Sequence, residues 1–220
     1  MGPPLLTTAT AAGALSNRTG MWILRGWSAL ELRILGVDVE LEDRTGGLRA
    51  PPYVFVQLNQ GSLLDVLPWI QSVDLPVRPI INVEFALLPF LGWALTAGGG
   101  IVVVRQWSWQ ARRAMARAEA ALRAGSSVGV SIEGRRSPDG TLLPYKKGPV
   151  MLALRAGAPL VPVVFHGTAA RLPYGEWRVR PGKVRVTLCE PVETRGLTVA
   201  SRDLLVEKLR SVAQAELQRA

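Results

Sequence analysis

The sequence predicts an α/β domain, a mostly parallel central sheet flanked by helices, and three observations carry that prediction. Short runs rich in β-branched and apolar residues (53–58, 77–83, 101–105, 127–132 and 160–165) alternate with stretches of helical spacing. Glycines such as Gly36 and Gly125 stand where helical stretches end, the position that favours a left-handed residue. The 220 residues, 48% of them hydrophobic, are enough for one substantial core and exclude a disordered or fibrous chain. Strands alternating with helices imply parallel pairing with helices on both faces.

In chain order, residues 1–20 read as a flexible N-terminal tail and 21–220 as the domain. The tail lacks the basic start of a signal peptide. Residues 21–35 form a helix whose Ile23, Trp27, Leu30 and Ile34 share one face. Its Trp22 and Arg25 also suit a membrane interface. The strand at 53–58 leads to a helix from Ser62 to about Val73, then a strand at 77–83, a helix through Leu95 and a strand at 101–105. Ser108 is placed to cap the Ala/Arg-rich helix that ends before Gly125. A strand at 127–132 and a helix at 148–156 follow, the latter with Pro149 in its first turn. After the strand at 160–165, segments 177–180 and 183–188 flank Pro181-Gly182 and read as a hairpin. Leu205, Leu209 and Val212 mark a last amphipathic helix.

Residues 85–104 carry no charge and are long enough to span a bilayer. Pro89 and Gly98-Gly99-Gly100 interrupt them, however, so they read as a short buried helix, a turn and a buried strand, and no spanning helix is expected. The single Cys189 excludes an intramolecular disulfide and fits a reducing compartment. The formal charge of +9 suits anionic partners: a phospholipid surface, phosphorylated substrates, an acidic carrier protein or nucleic acid. No nucleic-acid-binding motif and no basic helix with interleaved aromatics is seen, so no nucleic-acid partner is expected.

Chemistry concentrates in two segments. Asn59-Gln60-Gly61-Ser62-Leu63-Leu64-Asp65 follows an apolar strand and opens a helix, the rim of the sheet where α/β proteins build their sites. Ser62-x-x-Asp65 is also a capping box, which needs no function. Glu133-Gly134-Arg135-Arg136-Ser137 follows another strand, with Lys146 downstream. A glycine turn exposing backbone amides beside guanidinium groups recognises phosphate well, although a solvated basic loop has the same composition.

Together these blocks resemble the glycerolipid (lysophospholipid) acyltransferase family, of the 1-acylglycerol-3-phosphate acyltransferase kind. That family begins its first motif Asn-His and ends it in Asp. Asn59, Ser62 and Asp65 match, but Gln60 stands at the His position. Asn82, Glu84, Pro89, Gly92 and Trp93 resemble the second block, with Asn82 in place of Lys. Gly99, Gly100 and Arg105 resemble the end of the same region, with Val104 in place of an Asp. The Glu133 block and Lys146-Lys147-Gly148 resemble the third, and 157–163 an apolar strand lining the site.

The resemblance implies transfer of a fatty acyl group from acyl-CoA or acyl carrier protein to a lysophospholipid or glycerol-phosphate acceptor. Catalytic roles then fall on Asp65 and the Gln60 position. Substrate binding falls on Asn59, Ser62, Arg105, Glu133, Gly134, Arg135, Arg136 and Lys146. No metal or cofactor is implied. A cytoplasmic protein held peripherally on the inner face of the membrane is expected. An amide cannot act as general base, so a second reading stands beside the first: a catalytically silent relative that binds lipid or acyl groups or assembles with a partner. His166, at a strand end, reads as a structural residue or as a substitute base.

Overall fold

A computed structural model describes residues 17–49, 51–87, 92, 95–96, 99–104 and 107–219. Helix α1 (Asn17–Ile34) leads into strand β1 (Val37–Asp43), and β2 (Val54–Gln57) follows. Next come α2 (Val66–Ser72), β3 (Val77–Asn82), α3 (Val83–Ala86) and β4 (Ile101–Val103). Helix α4 (Ser108–Arg123), β5 (Ser127–Ser131), α5 (Gly148–Ala156) and β6 (Leu160–His166) continue the alternation. The chain ends with α6 (Thr168–Arg171), β7 (Gly182–Leu188), a 3-10 turn and α7 (Arg202–Gln218). Among the described residues the sheet runs β1-β7-β6-β2-β5-β3-β4. Every pairing is parallel except β6 with β7. This is the expected α/β class.

Period-2 alternation divides the core between the two faces of the sheet. On β2, Val54 and Val56 point toward α4, α5 and α7, meeting Ala118, Leu122, Val150, Ala153 and Leu209. Phe55 points the other way, with Val161, Val163, Phe165 and Trp69. Gln57 continues the Phe55 phase, and this single parity places its amide on the α2 side.

Several boundaries and pairings differ from the sequence reading. Residues 177–180 are not a strand, and the hairpin around Pro181-Gly182 does not form. Instead β7 inserts between β6 and β1, antiparallel to the first and parallel to the second. β1, Val-Asp-Val-Glu-Leu-Glu-Asp, was not anticipated, because its acid-rich alternation belongs to an edge strand with one wet face. Helix α2 begins at Val66 rather than Ser62. Ser108 is the first residue of α4, and Trp107 holds the cap position without a side-chain bond.

Helix α1 buries Leu24, Trp27 and Leu32, while Leu30 and Ile34 face outward. The expected face is rotated because Ser28 turns inward and donates to the Leu67 carbonyl at 2.8 Å, drawing α1 close to α2. Gly36 has φ 66° and ends α1 as expected. Trp22 is exposed, but Arg25 turns back to Asp74 and the Gln71 carbonyl. No described helix is long and apolar enough to cross a membrane.

Candidate active site

The two polar segments meet at the carboxyl ends of β2 and β5, which are register-paired at Gln57 and Ser131. The backbones are stitched together there. Ile132 N–H donates to the Gln57 carbonyl, and Ser137 N–H donates to the Gln60 carbonyl at 2.7 Å. Gln60 N–H donates to Glu133 Oε2 at 2.6 Å, and the other oxygen of Glu133 accepts Leu143 N–H at 2.6 Å. Tyr145 completes the junction by donating its hydroxyl to the Leu58 carbonyl at 2.7 Å. Residue 60 is therefore fixed through both of its backbone groups, whatever its side chain.

Glu133 is 2% exposed. Burial raises its pKa, opposed by the N–H groups of Leu143 and Gln60 and by the charge of Arg210. Its role is to hold two loops together. Asn59 is committed in the same way: its amide donates to the Phe165 carbonyl at 2.7 Å and accepts Phe165 N–H at 2.9 Å, clamping the first loop to β6. These two side chains, expected to bind substrate, are spent on scaffold. Ser62 donates to the Leu172 carbonyl and accepts Leu64 N–H, and it also borders the cavity described below. Only part of the capping box is present, with Asp65 Oδ2 accepting Ser62 N–H at 3.3 Å.

Asp65 is 4% exposed at the start of α2. Its Oδ2 also accepts a hydrogen bond from Gln57 Nε2 at 2.9 Å, so Gln57 fills the place of a carboxylate partner. Oδ1 has no hydrogen-bond partner. Burial pushes the carboxyl up to about 7, against the opposing influence of the nearby Thr168 hydroxyl, the Ser62 N–H, the Gln57 amide and the Gly61 N–H. The Gln60 amide makes no hydrogen bond to Asp65 among the described residues. Gly61 is glycine for a local reason: a Cβ there would come within 3.1 Å of the Ala169 Cβ.

A cavity of about 490 Å³ opens onto this junction. Gln60, Ser62, Asp65, Gly134, Arg135, Arg136 and Lys146 border its polar end. Arg136 also lies over the Tyr174 ring, 4.8 Å from its centre. Gly134 takes φ 69°, which turns the chain back so that the following arginines reach the same opening. Away from the polar end the walls are apolar, including Trp69, Val73, Leu75 and Val77. Gly129 keeps that end open, since a Cβ would come within 2.9 Å of Trp69 Cζ2.

Asn82, at the end of β3, lines the cavity with both polar atoms of its buried amide unpartnered. The sequence marked it only as a departure from a motif. Gln57 was missed altogether, and its signal was the strand parity that places it beside Asp65. Arg105, expected to bind substrate, lies outside the described residues, as do Pro89 and Trp93.

His166 does not join the site. It shares the phase of Val164 on β6, the face toward α7, and its Nε2 lies 3.4 Å from Thr187 Oγ1. Burial lowers its pKa, as does the charge of Arg185. Asp65 lies on the opposite face of the sheet, so His166 is not a substitute base. Among the described residues no cluster of His, Cys, Asp and Glu is arranged to hold a metal ion.

Comparison with known proteins bears on the family and the fold. A sequence model described as Acyltransferase matches residues 46–166, more than half of the chain. Human 1-acyl-sn-glycerol-3-phosphate acyltransferase beta is 31% identical over 83% of this chain and 66% of its own length. The human alpha enzyme of the same name is 31% identical over 88% and 69%. The chloroplastic 1-acyl-sn-glycerol-3-phosphate acyltransferase BAT2 of Brassica napus is 32% identical over 64% and 41%. The chain thus spans less than two thirds of two of these relatives. The crystal structure of the 1-acyl-sn-glycerophosphate (LPA) acyltransferase PlsC from Thermotoga maritima superposes with a TM-score of 0.79. That match is 26% identical and covers 92% of this chain and 80% of PlsC. With the motif order, the sheet and the shared fold in agreement, the chain belongs to the acyltransferase family.

Proposed function

We propose that this protein transfers a fatty acyl group from a thioester donor, acyl-CoA or acyl carrier protein, to the free hydroxyl of a 1-acylglycerol-3-phosphate-type lysophospholipid, with Asp65 as the general base. The observation that carries the reading is the cavity. Its lining includes Arg135, Arg136 and Lys146, the buried carboxyl of Asp65, and a long apolar wall. The cations suit the acceptor's phosphate, and the apolar walls suit an acyl chain.

An imidazole serves as general base because it titrates near neutrality. Burial brings the Asp65 carboxyl into the same range, at about 7. The acceptor hydroxyl gives its proton to Asp65 Oδ1, and its oxygen attacks the thioester carbonyl. The Gln60 amide donates a hydrogen bond that orients the hydroxyl, and the tetrahedral intermediate collapses to the ester. The departing thiolate takes the proton back, leaving free thiol and ionised Asp65. Gln57 holds the carboxyl in place throughout. Attachment to the cytoplasmic face of a membrane belongs to the same reading, supported by the +9 charge and the lipid acceptor.

The test is thiol release from acyl-CoA with 1-acylglycerol-3-phosphate present. Expected are turnover that rises through pH 7 and its loss in Asp65→Asn. Absence of thiol release with both donor types and several lysophospholipids would rule the reading out.

A second reading rests on Gln60 itself: the protein binds acyl donor or lysophospholipid without turnover. Saturable binding by the unmodified chain, with thiol release appearing only in Gln60→His, would select it.

A further inference from the structure

Trp107 and Trp109 are both more than half exposed and stack on one another, ring centres 6.3 Å apart and planes 14° from parallel. Two large indoles held in water at the start of a helix are costly unless something covers them. Beyond them α4 is amphipathic in an unusual way. Ala114, Ala118 and Leu122 bury one face in the core. The outward stripe at i, i+3, i+4 spacing reads Trp109, Arg112, Arg113, Ala116, Arg117, Ala120, and all of these residues are exposed. No described residue forms an ion pair with Arg112, Arg113 or Arg117. The helix's acid, Glu119, is already paired with Arg123 at 2.6 Å. The sequence reading saw no basic helix with interleaved aromatics, and the folded helix keeps its two indoles at its start, ahead of the arginines. The inward side of the same helix walls the cavity through Ala111 and Met115.

We propose that the outer face of α4 is a docking surface for an anionic phospholipid bilayer. The Trp107–Trp109 pair seats at the headgroup level, while Arg112, Arg113 and Arg117 meet lipid phosphates. Charge complementarity names the partner: three unpaired guanidinium groups on one stripe face an anionic surface, and the stacked indoles match its interfacial zone. A single-stranded nucleic acid is disfavoured, because bases stack on separated aromatic rings and these two rings occupy each other. The choice of lipid rather than another polyanion rests on the proposed lysophospholipid acceptor; the surface itself does not.

The test is co-sedimentation of the full chain, without substrates, with phosphatidylcholine vesicles containing or lacking phosphatidylglycerol. Binding is expected to require phosphatidylglycerol and to weaken as salt is raised. Each arginine at an anionic surface contributes roughly five-fold to partitioning. Neutralising all three in Arg112→Gln/Arg113→Gln/Arg117→Gln therefore lowers it by about a hundred-fold, and Trp107→Ala/Trp109→Ala by about tenfold. Both variants are expected to keep the parent's thermal unfolding midpoint and its thiol release on water-soluble short-chain substrates. Variants that bind vesicles like the parent overturn the proposal, as does a loss confined to Trp22→Ala on α1. So does a parent chain that ignores vesicles while capturing an acidic carrier protein or an oligonucleotide through these side chains. Because the vesicle assay contains no substrate, a failure of the catalytic reading leaves its outcome unchanged.

Discussion

Replacing Asp65 with Asn is expected to make the protein more stable, by an amount that depends on pH. The folded carboxyl titrates at about 7 against an ordinary value of 3.8, so its sign is the reverse of a salt-bridged carboxylate. The folded state binds a proton more tightly than the unfolded chain, and stability is lost as pH rises from about 4 to about 7. Above pH 7 the full shift applies. At about 1.4 kcal/mol per pH unit, the raised pKa costs on the order of 4 kcal/mol at pH 8, where Asp65 is ionised in the fold, and roughly 1–2 kcal/mol at pH 5, where it is protonated in the fold and mostly ionised in the unfolded chain. Asparagine is nearly isosteric. Its carbonyl oxygen keeps the bonds from Gln57 and Ser62, and its NH₂ replaces the unpartnered Oδ1. Urea denaturation of both proteins at the two pH values reads the difference directly. A stabilisation that grows by roughly 2–3 kcal/mol between pH 5 and pH 8 is expected. An equal effect at both pH values, or a less stable variant at pH 8, would refute the argument that Asp65 is a desolvated carboxyl held for chemistry.

Three further outcomes follow from the same junction. Gln60→His leaves the backbone in place, because Glu133 and Ser137 hold residue 60 through main-chain bonds. A second base beside Asp65 is expected to raise thiol release by about 10²–10⁴, with an unchanged unfolding midpoint. Glu133→Gln is expected to destabilise by about 1–3 kcal/mol in urea denaturation, since each Glu133 oxygen accepts an N–H and an amide turns one contact into donor against donor. The contrast with the stabilising Asp65→Asn separates a scaffold carboxylate from a chemical one. Arg136→Ala is expected to raise KM for a phosphate-bearing acceptor about tenfold or more while leaving KM for the acyl donor unchanged.

How much of this was legible in the sequence depends on the range of the interaction. The β2, β5 and β6 runs were readable because fully buried parallel strands are continuous apolar segments, and Gly36 was readable because ending a helix is local chemistry. Strand β1 was not, since its Glu and Asp residues carry no apolar signal. The hairpin around Pro181-Gly182 failed because partner choice in a sheet is long-range: β1 takes one edge of β7 and β6 the other, which leaves no edge for residues 177–180. At the site, the motif residues were found but their roles divided on folding. Asn59 and Glu133 became clamps, while Asp65, Gln60, Arg135, Arg136 and Lys146 reached the cavity. Gln57, the actual partner of Asp65, belongs to no motif and emerges only from strand parity. The exposed pair Trp107 and Trp109 was hidden for a related reason, because burial of an aromatic residue is decided by what packs over it.

The central claim is that Asp65 supplies the base that Gln60 cannot. Single-turnover thiol release from acyl-CoA, with 1-acylglycerol-3-phosphate bound and pH varied across neutrality, tests it most directly. The account predicts a rate that rises with a single ionisation near pH 7 in the unmodified protein and is abolished in Asp65→Asn, although that variant remains folded and still binds the acceptor. Turnover that persists in Asp65→Asn, or that is flat across neutrality, would contradict it.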